Sequence, residues 1–113
     1  MNIQELALAI DAKILTKSAD LTREVSGGYT CDLLSWVMAH GKEGMAWITV
    51  QTHMNVIAVA TLHDMSCVIV PEGIRVEDDV AAKADEEGVA VLSSGLSAFE
   101  ICGRMYKAGV AAQ

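Results

Sequence analysis

Few side chains in this chain have the type and setting for chemistry, and most of them stand where one apolar segment gives way to the next. Across Val25-Ser26-Gly27-Gly28-Tyr29-Thr30-Cys31-Asp32 a short apolar strand meets two glycines and restarts as a helix. Paired glycines permit positive φ and expose backbone N–H groups, and Asp32 is of the type that caps a following helix. Such a turn suits an anion or a ligand carbonyl. Three other joints belong to the same edge, Gln51-Thr52-His53-Met54-Asn55, Pro71-Glu72-Gly73 and Ser93-Ser94-Gly95-Leu96-Ser97, and three of the four are rich in hydroxyl, amide and glycine groups. Their hydroxyl, amide and glycine groups can donate to a ligand or simply cap the helices that follow. The candidate ligand-binding set is Ser26, Gly27, Gly28, Asp32, Thr52, His53, Asn55, Ser93 and Ser94.

His53 is the one acid–base candidate among these joints, able to contact a phosphate, to move a proton, or to bond the backbone of its own helix. His40 and His63 fall at helix ends, where a cation suits the helix dipole. Trp36 and Trp47 read as core. Cys31, Cys67 and Cys102 are odd in number, widely spaced and without a CxxC pair, so no disulfide framework or zinc site is expected. Buried, inert thiols are the favoured reading, with an iron–sulfur centre on the three cysteines as the rival. The chain has no GxxxxGK[ST] loop and no GxSxG elbow, which points to a non-catalytic protein without a cofactor or metal; an enzyme with His53 as base is the weaker alternative.

The elements that must position these residues follow from periodicity. Ile3, Leu6, Ala7 and Ile10 predict an amphipathic helix over 2–12. A β-prone piece covers 13–16, and a polar loop runs from 16 to 22. Strand and helix then alternate. Residues 24–29 form a strand, Asp32 caps a helix ending at Gly41, and 45–51 form the next strand. The segment 52–64 carries Val56-Ile57-Ala58-Val59-Ala60, apolar on every side, which predicts a helix buried on more than one face, the second cover being another subunit. Strands at 67–70 and 89–92 alternate with helices at 77–87 and 97–107, and the tail 110–113 is expected to be loose. Successive strand–helix units predict an α/β fold: a mostly parallel sheet with helices on both faces. In such sheets ligands sit beyond the carboxyl ends of the strands.

With 113 residues, 52% of them hydrophobic, the chain is one domain with a real core. The net charge of −7 argues against nucleic acid and anionic membranes as partners, since phosphate binding needs clustered Lys and Arg. No apolar run approaches a membrane span, and the opening residues lack a secretion signal, so a cytoplasmic location is expected.

Arg23 with Val25-Ser26-Gly27-Gly28 resembles the motif that names the DRTGG domain. Asp32-Leu33-Leu34-Ser35, Glu43-Gly44, Trp47-Ile48-Thr49, Gln51-Thr52-His53 with Asn55, Val59-Ala60, Leu92-Ser93-Ser94 and Phe99-Glu100 resemble stand-alone members in order and spacing, over residues 1 to 109. The chain departs from the motif at Glu24-Val25-Ser26, before the glycine pair. The resemblance implies a fold similar to the N-terminal domain of HPr kinase/phosphorylase, related to domains beside CBS domains in regulated pyrophosphatases. It implies a regulatory or scaffolding homodimer that serves a partner enzyme or kinase, in some members near hydrogenase genes, and that senses a small anionic or nucleotide ligand. Iron–sulfur binding linked to a hydrogenase system is the alternative the resemblance carries.

Overall fold

The computed structural model describes residues 1–112. Asn2 opens the first helix, α1 (Ile3–Ala9), through a capping box: its side chain accepts from the Glu5 N–H, and the Glu5 carboxylate accepts from the Asn2 N–H. A three-residue strand, β1 (Ala12–Ile14), follows. Then come β2 (Gly27–Thr30), α2 (Leu34–His40), β3 (Met45–Ile48), α3 (Met54–Leu62), β4 (Cys67–Val70), α4 (Asp78–Glu87), β5 (Ala90–Ser94) and α5 (Ala98–Lys107).

The strands form one sheet in the order β1-β5-β4-β3-β2. The β2–β3, β3–β4 and β4–β5 pairs are parallel, and β1 adds antiparallel to β5, so the expected α/β architecture is observed with one reversed strand at its edge. β3 and β4 are buried along their whole length, as strands covered by helices on both faces must be. On one face α1 and α5 cover Ala46, Ile48, Cys67, Ile69, Ala90 and Leu92. On the other, α2, α3 and α4 cover Met45, Trp47, Val68, Val70 and Val91.

Four expectations change. Gly27 and Gly28 do not form a turn: they are the first two residues of β2, paired with Met45 and Ala46, and the left-handed conformation sits at Gly44 instead (φ 79°). The α3 helix is covered within the chain, because α2 and α4 flank it and bury Val56, Ile57, Val59 and Ala60 between themselves and the sheet. Asn55, Ala58, Thr61 and Leu62 remain outside. The tail is not loose as far as it is described: Val110 is buried, the Gly28 N–H donates to the Ala111 carbonyl (3.0 Å), and Ala112 bridges to Gly28; Gln113 lies outside the described residues. Finally, Trp47 is core but Trp36 is about half exposed and stacks on His40, ring centres 4.2 Å apart.

Candidate functional site

Because β2 to β5 run parallel, four strand-to-helix joints share one edge of the sheet. The best-built of them lies between β3 and α3. The Asp32 carboxylate accepts from the Thr49 hydroxyl (2.9 Å) and from the Val50 N–H (2.9 Å). The Gln51 side-chain amide donates to the Asp32 carbonyl (3.2 Å). Asp32 was expected to cap α2, but Leu33 occupies the N-cap and no side chain caps that helix. The carboxylate instead ties the β2–α2 joint to the β3–α3 joint. That tie aims the next three residues. His53 is the N-cap of α3, and its Nδ1 accepts from the Asn55 N–H (3.1 Å). With Nδ1 accepting, the neutral ring carries its proton on Nε2 and offers it outward.

Beyond His53 a cleft of about 450 Å³ opens between the starts of α3 and α4, walled by Gln51, Thr52, His53, Glu77, Asp79 and Val80. One wall presents donors: the Thr52 hydroxyl, the His53 ring and the positive end of α3. The other is acidic, with Glu77 at the N-cap of α4 and Asp78 and Asp79 in its first turn. Such a pairing takes a ligand that accepts on one side and donates on the other. Glu77 is paired with Arg75 (3.3 Å), so the repulsion of a bare anion falls on Asp79. The acidic wall was not foreseen, because a run of acids at a helix start serves its dipole whether or not a ligand is near. Gln51 has two roles that its composition alone did not indicate, bracing Asp32 and lining the cleft.

The remaining candidates lie elsewhere. Ser94 is buried; its hydroxyl donates to the Ile10 carbonyl (2.7 Å) and accepts from the Leu96 N–H (3.1 Å). The Gly73 and Glu72 N–H groups are taken by the Ser94 and Leu96 carbonyls, which zips the β4–α4 joint to the β5–α5 joint. Ser93 faces the opposite side of β5, level with Val70. Asn55 sits in the first turn of α3, exposed at the ends of the grooves on either flank of that helix.

Ser26, Gly27 and Gly28 are at the other end of the sheet. The Ser26 hydroxyl donates to the Glu43 carbonyl (2.9 Å), beside the start of β3. Gly28 is small because α5 and the tail press on it: a Cβ there would stand 3.2 Å from Met105 Cε. Arg23, part of the glycine motif in sequence, pins the preceding loop to the α3–β4 turn through the Asp64 carboxylate (2.9 Å) and carbonyl (2.6 Å). The nine candidates thus divide, with Asp32, Thr52 and His53 together at the carboxyl edge and the glycine pair at the amino end of β2.

The cysteines divide as well. Cys31 packs with the α2–α3–α4 layer; Cys67 and Cys102 pack with the α1–α5 layer, across the sheet from it. Burial pushes the Cys67 thiol up to about 12, so it stays protonated at neutral pH. The Thr30 hydroxyl and Cys102 Sγ are 3.0 Å apart at a small hollow of about 120 Å³ under α5. Among the described residues no three His, Cys, Asp or Glu side chains converge in a way that could hold a metal ion. His40 and His63 both meet carbonyls of α2, those of Trp36 (2.9 Å) and Met38 (2.8 Å). Among the described residues no helix is long and apolar enough to cross a membrane.

No family model matches the chain, and no curated protein matches it in sequence. Solved structures do. The fold is similar to that in the crystal structure of the CBS and DRTGG domains of the regulatory region of Clostridium perfringens pyrophosphatase, complexed with its activator diadenosine tetraphosphate. The TM-score is 0.76 at 11% identity, over 92% of this chain and 45% of that one. This chain therefore spans less than half of that regulatory region, and at such identity what the two share is the fold.

Proposed function

We propose that this chain is a non-catalytic regulatory module of the DRTGG kind, one domain from end to end. In this reading it works as a homodimer beside a cytoplasmic partner enzyme or kinase and senses a nucleotide-type ligand in the cleft between α3 and α4. The observation that carries the reading is the two-sided cleft beyond His53. The start of α3, with the His53 Nε2–H and the Thr52 hydroxyl, suits a phosphate oxygen. Glu77 and Asp79 suit the hydroxyls of a ribose or the amine of a base. This replaces a purely anionic ligand, which the acidic wall disfavours. The fold likeness to a regulatory region crystallised with a dinucleotide supports it further.

Titration calorimetry against adenine and guanine mono-, di- and triphosphates, diadenosine tetraphosphate and phosphorylated sugars tests the ligand. The expected result is heat with at least one nucleotide, lost in Thr52→Val combined with His53→Ala and kept in Gly28→Ala. No heat with any nucleotide, or heat unchanged in the double variant, overturns the assignment.

A further inference from the structure

We infer that the outer edge of β2 is a docking site for an extended, uncharged segment of a partner protein, and that residues 110–112 occupy it as a displaceable strap. β2 is the last strand of the sheet, so among the described residues one side of it has no strand neighbour. The tail takes that place: the Gly28 N–H donates to the Ala111 carbonyl (3.0 Å), and Ala112 bridges to Gly28 in parallel. Thr30, two residues on, turns its N–H and carbonyl to the same side. Among the described residues no strand or bridge lies beside it there. An edge with open backbone groups is a template for a further strand. The strap can leave it: past Val110 its described hold is one backbone bond, and Gly109 (φ 101°) gives it a swivel.

The side chains define the occupant. Val110 is buried against Gly28, whereas Ala111 and Ala112 stand exposed over the hollow of about 120 Å³ walled by Thr30, Ile48, Cys102 and Tyr106. An apolar cavity of about 150 Å³ holds a benzene molecule. A methyl group therefore leaves most of this hollow unfilled, and a leucine-sized side chain fits it. No charged residue lines it. From Gly28 to Thr30 the facing residue of α5 changes from Met105 to Cys102, so a longer segment in the same register runs on toward Phe99. Phe99, Cys102 and Tyr106 are spaced three and four residues apart, which puts them on one side of α5. Phe99 is 90% exposed and Tyr106 73%. Two aromatic rings in water along the path of the added strand mark a surface that is covered in use. The segment that fits is valine-like at the Val110 position, leucine-like two residues on, and apolar beyond.

The test is amide NMR on the isotope-labelled full chain, with capped peptides that carry the sequence of residues 108–113 and either Ala112→Leu or Ala112→Asp. The leucine peptide, at up to about 1 mM, should shift the Gly28, Thr30 and Cys102 signals and leave those of Thr52 and His53 in place; the aspartate peptide should shift none. Ala112→Leu in the chain itself should slow exchange of the Gly28 amide roughly 10-fold, because the strap then fills the hollow, and should weaken the leucine peptide by a similar factor. Shifts away from the β2 edge, an equal response to both peptides, or unchanged Gly28 exchange overturn the site. Silence with the peptides, combined with Gly28 and Thr30 shifts that grow with protein concentration alone, gives the edge to a second copy and overturns the partner segment. If the Ala112→Leu chain does not fold, the two peptides against the wild type decide. The cleft between α3 and α4 is read by its own signals, so the nucleotide assignment stands or falls separately.

Discussion

At its amino end β2 brings Ser26, Gly27 and Gly28 against Glu43, Gly44, Met105 and Ala111; past its carboxyl end Asp32 leads to the open cleft before His53. Small, polar residues make up both regions. In the first they are small so that other parts of the chain can come close, and their polar groups are spent on backbone partners. In the second the polar groups are fixed by Asp32 and still face solvent. Composition marks both as joints; only the direction of the strand decides which one a ligand can reach.

Substitutions at the two ends should separate stability from binding. The largest effect is expected from Gly44→Ala. Its φ of 79° disfavours any side chain, and a Cβ would stand 2.5 Å from Ser26 Oγ. A loss of about 2–4 kcal/mol in urea unfolding follows, with nucleotide affinity of the folded fraction unchanged; an unaltered midpoint would remove the claim that this end is a packed joint. Asp32→Ala comes next. Losing the acceptor for Thr49 and Val50 costs about 1–3 kcal/mol and should weaken nucleotide binding in part, and stability loss without a binding defect would detach Asp32 from the cleft. Gly28→Ala should cost about 1 kcal/mol or less, because the nearest atom is the movable end of Met105, and binding should be untouched. His53→Ala should cost the least stability of these four, about 0.5–1 kcal/mol for a lost cap, yet weaken nucleotide binding the most of the single changes.

The smallest effect at neutral pH belongs to Cys67, level in the sheet with Gly28, Ala46 and Ala90. Its folded thiol is raised by burial from 9.0 to about 12. The unfolded chain therefore releases this proton first on going to high pH, so the stabilisation is complete below pH 9 and is lost between 9 and about 12. Cys67→Ala should flatten that part of the stability profile. Maleimide labelling should reach Cys31 and Cys102 in the native protein and Cys67 only in denaturant; three equivalent thiols, or iron bound by anaerobically prepared protein, would contradict the separation of the cysteines across the sheet.

The alternation of strands and helices was legible because each unit has its own punctuation: Gly41 and Gly88 cap the ends of α2 and α4, and the apolar runs of β3 and β4 fit buried strands. Thr52 and His53 could be placed at the carboxyl edge on the same ground. The glycine pair could not, because a glycine that allows a turn and a glycine that allows a helix to press on a strand look identical until the neighbour is known. Here the neighbours are Met105 and Val110, more than seventy residues away in sequence. The docking of residues 110–112 on β2 was hidden for the same reason, and so was the half-exposure of Trp36. The all-apolar α3 was legible as buried, but the identity of its cover depends on how α2 and α4 cross the sheet, which local periodicity does not encode.

The two indoles sit in unlike surroundings, and this gives the molecule its own optical gauge. Trp47 is enclosed, with its N–H donated to the Cys31 carbonyl (2.8 Å), so its emission belongs at short wavelength and shifts red only when the sheet comes apart. Trp36 lies against the His40 imidazole at the surface, half open to water, so its emission belongs at longer wavelength already in the folded protein. Unfolding should therefore move the blue-edge emission while the red-edge signal holds, a colour-resolved reading of the sheet in an otherwise unlabelled protein.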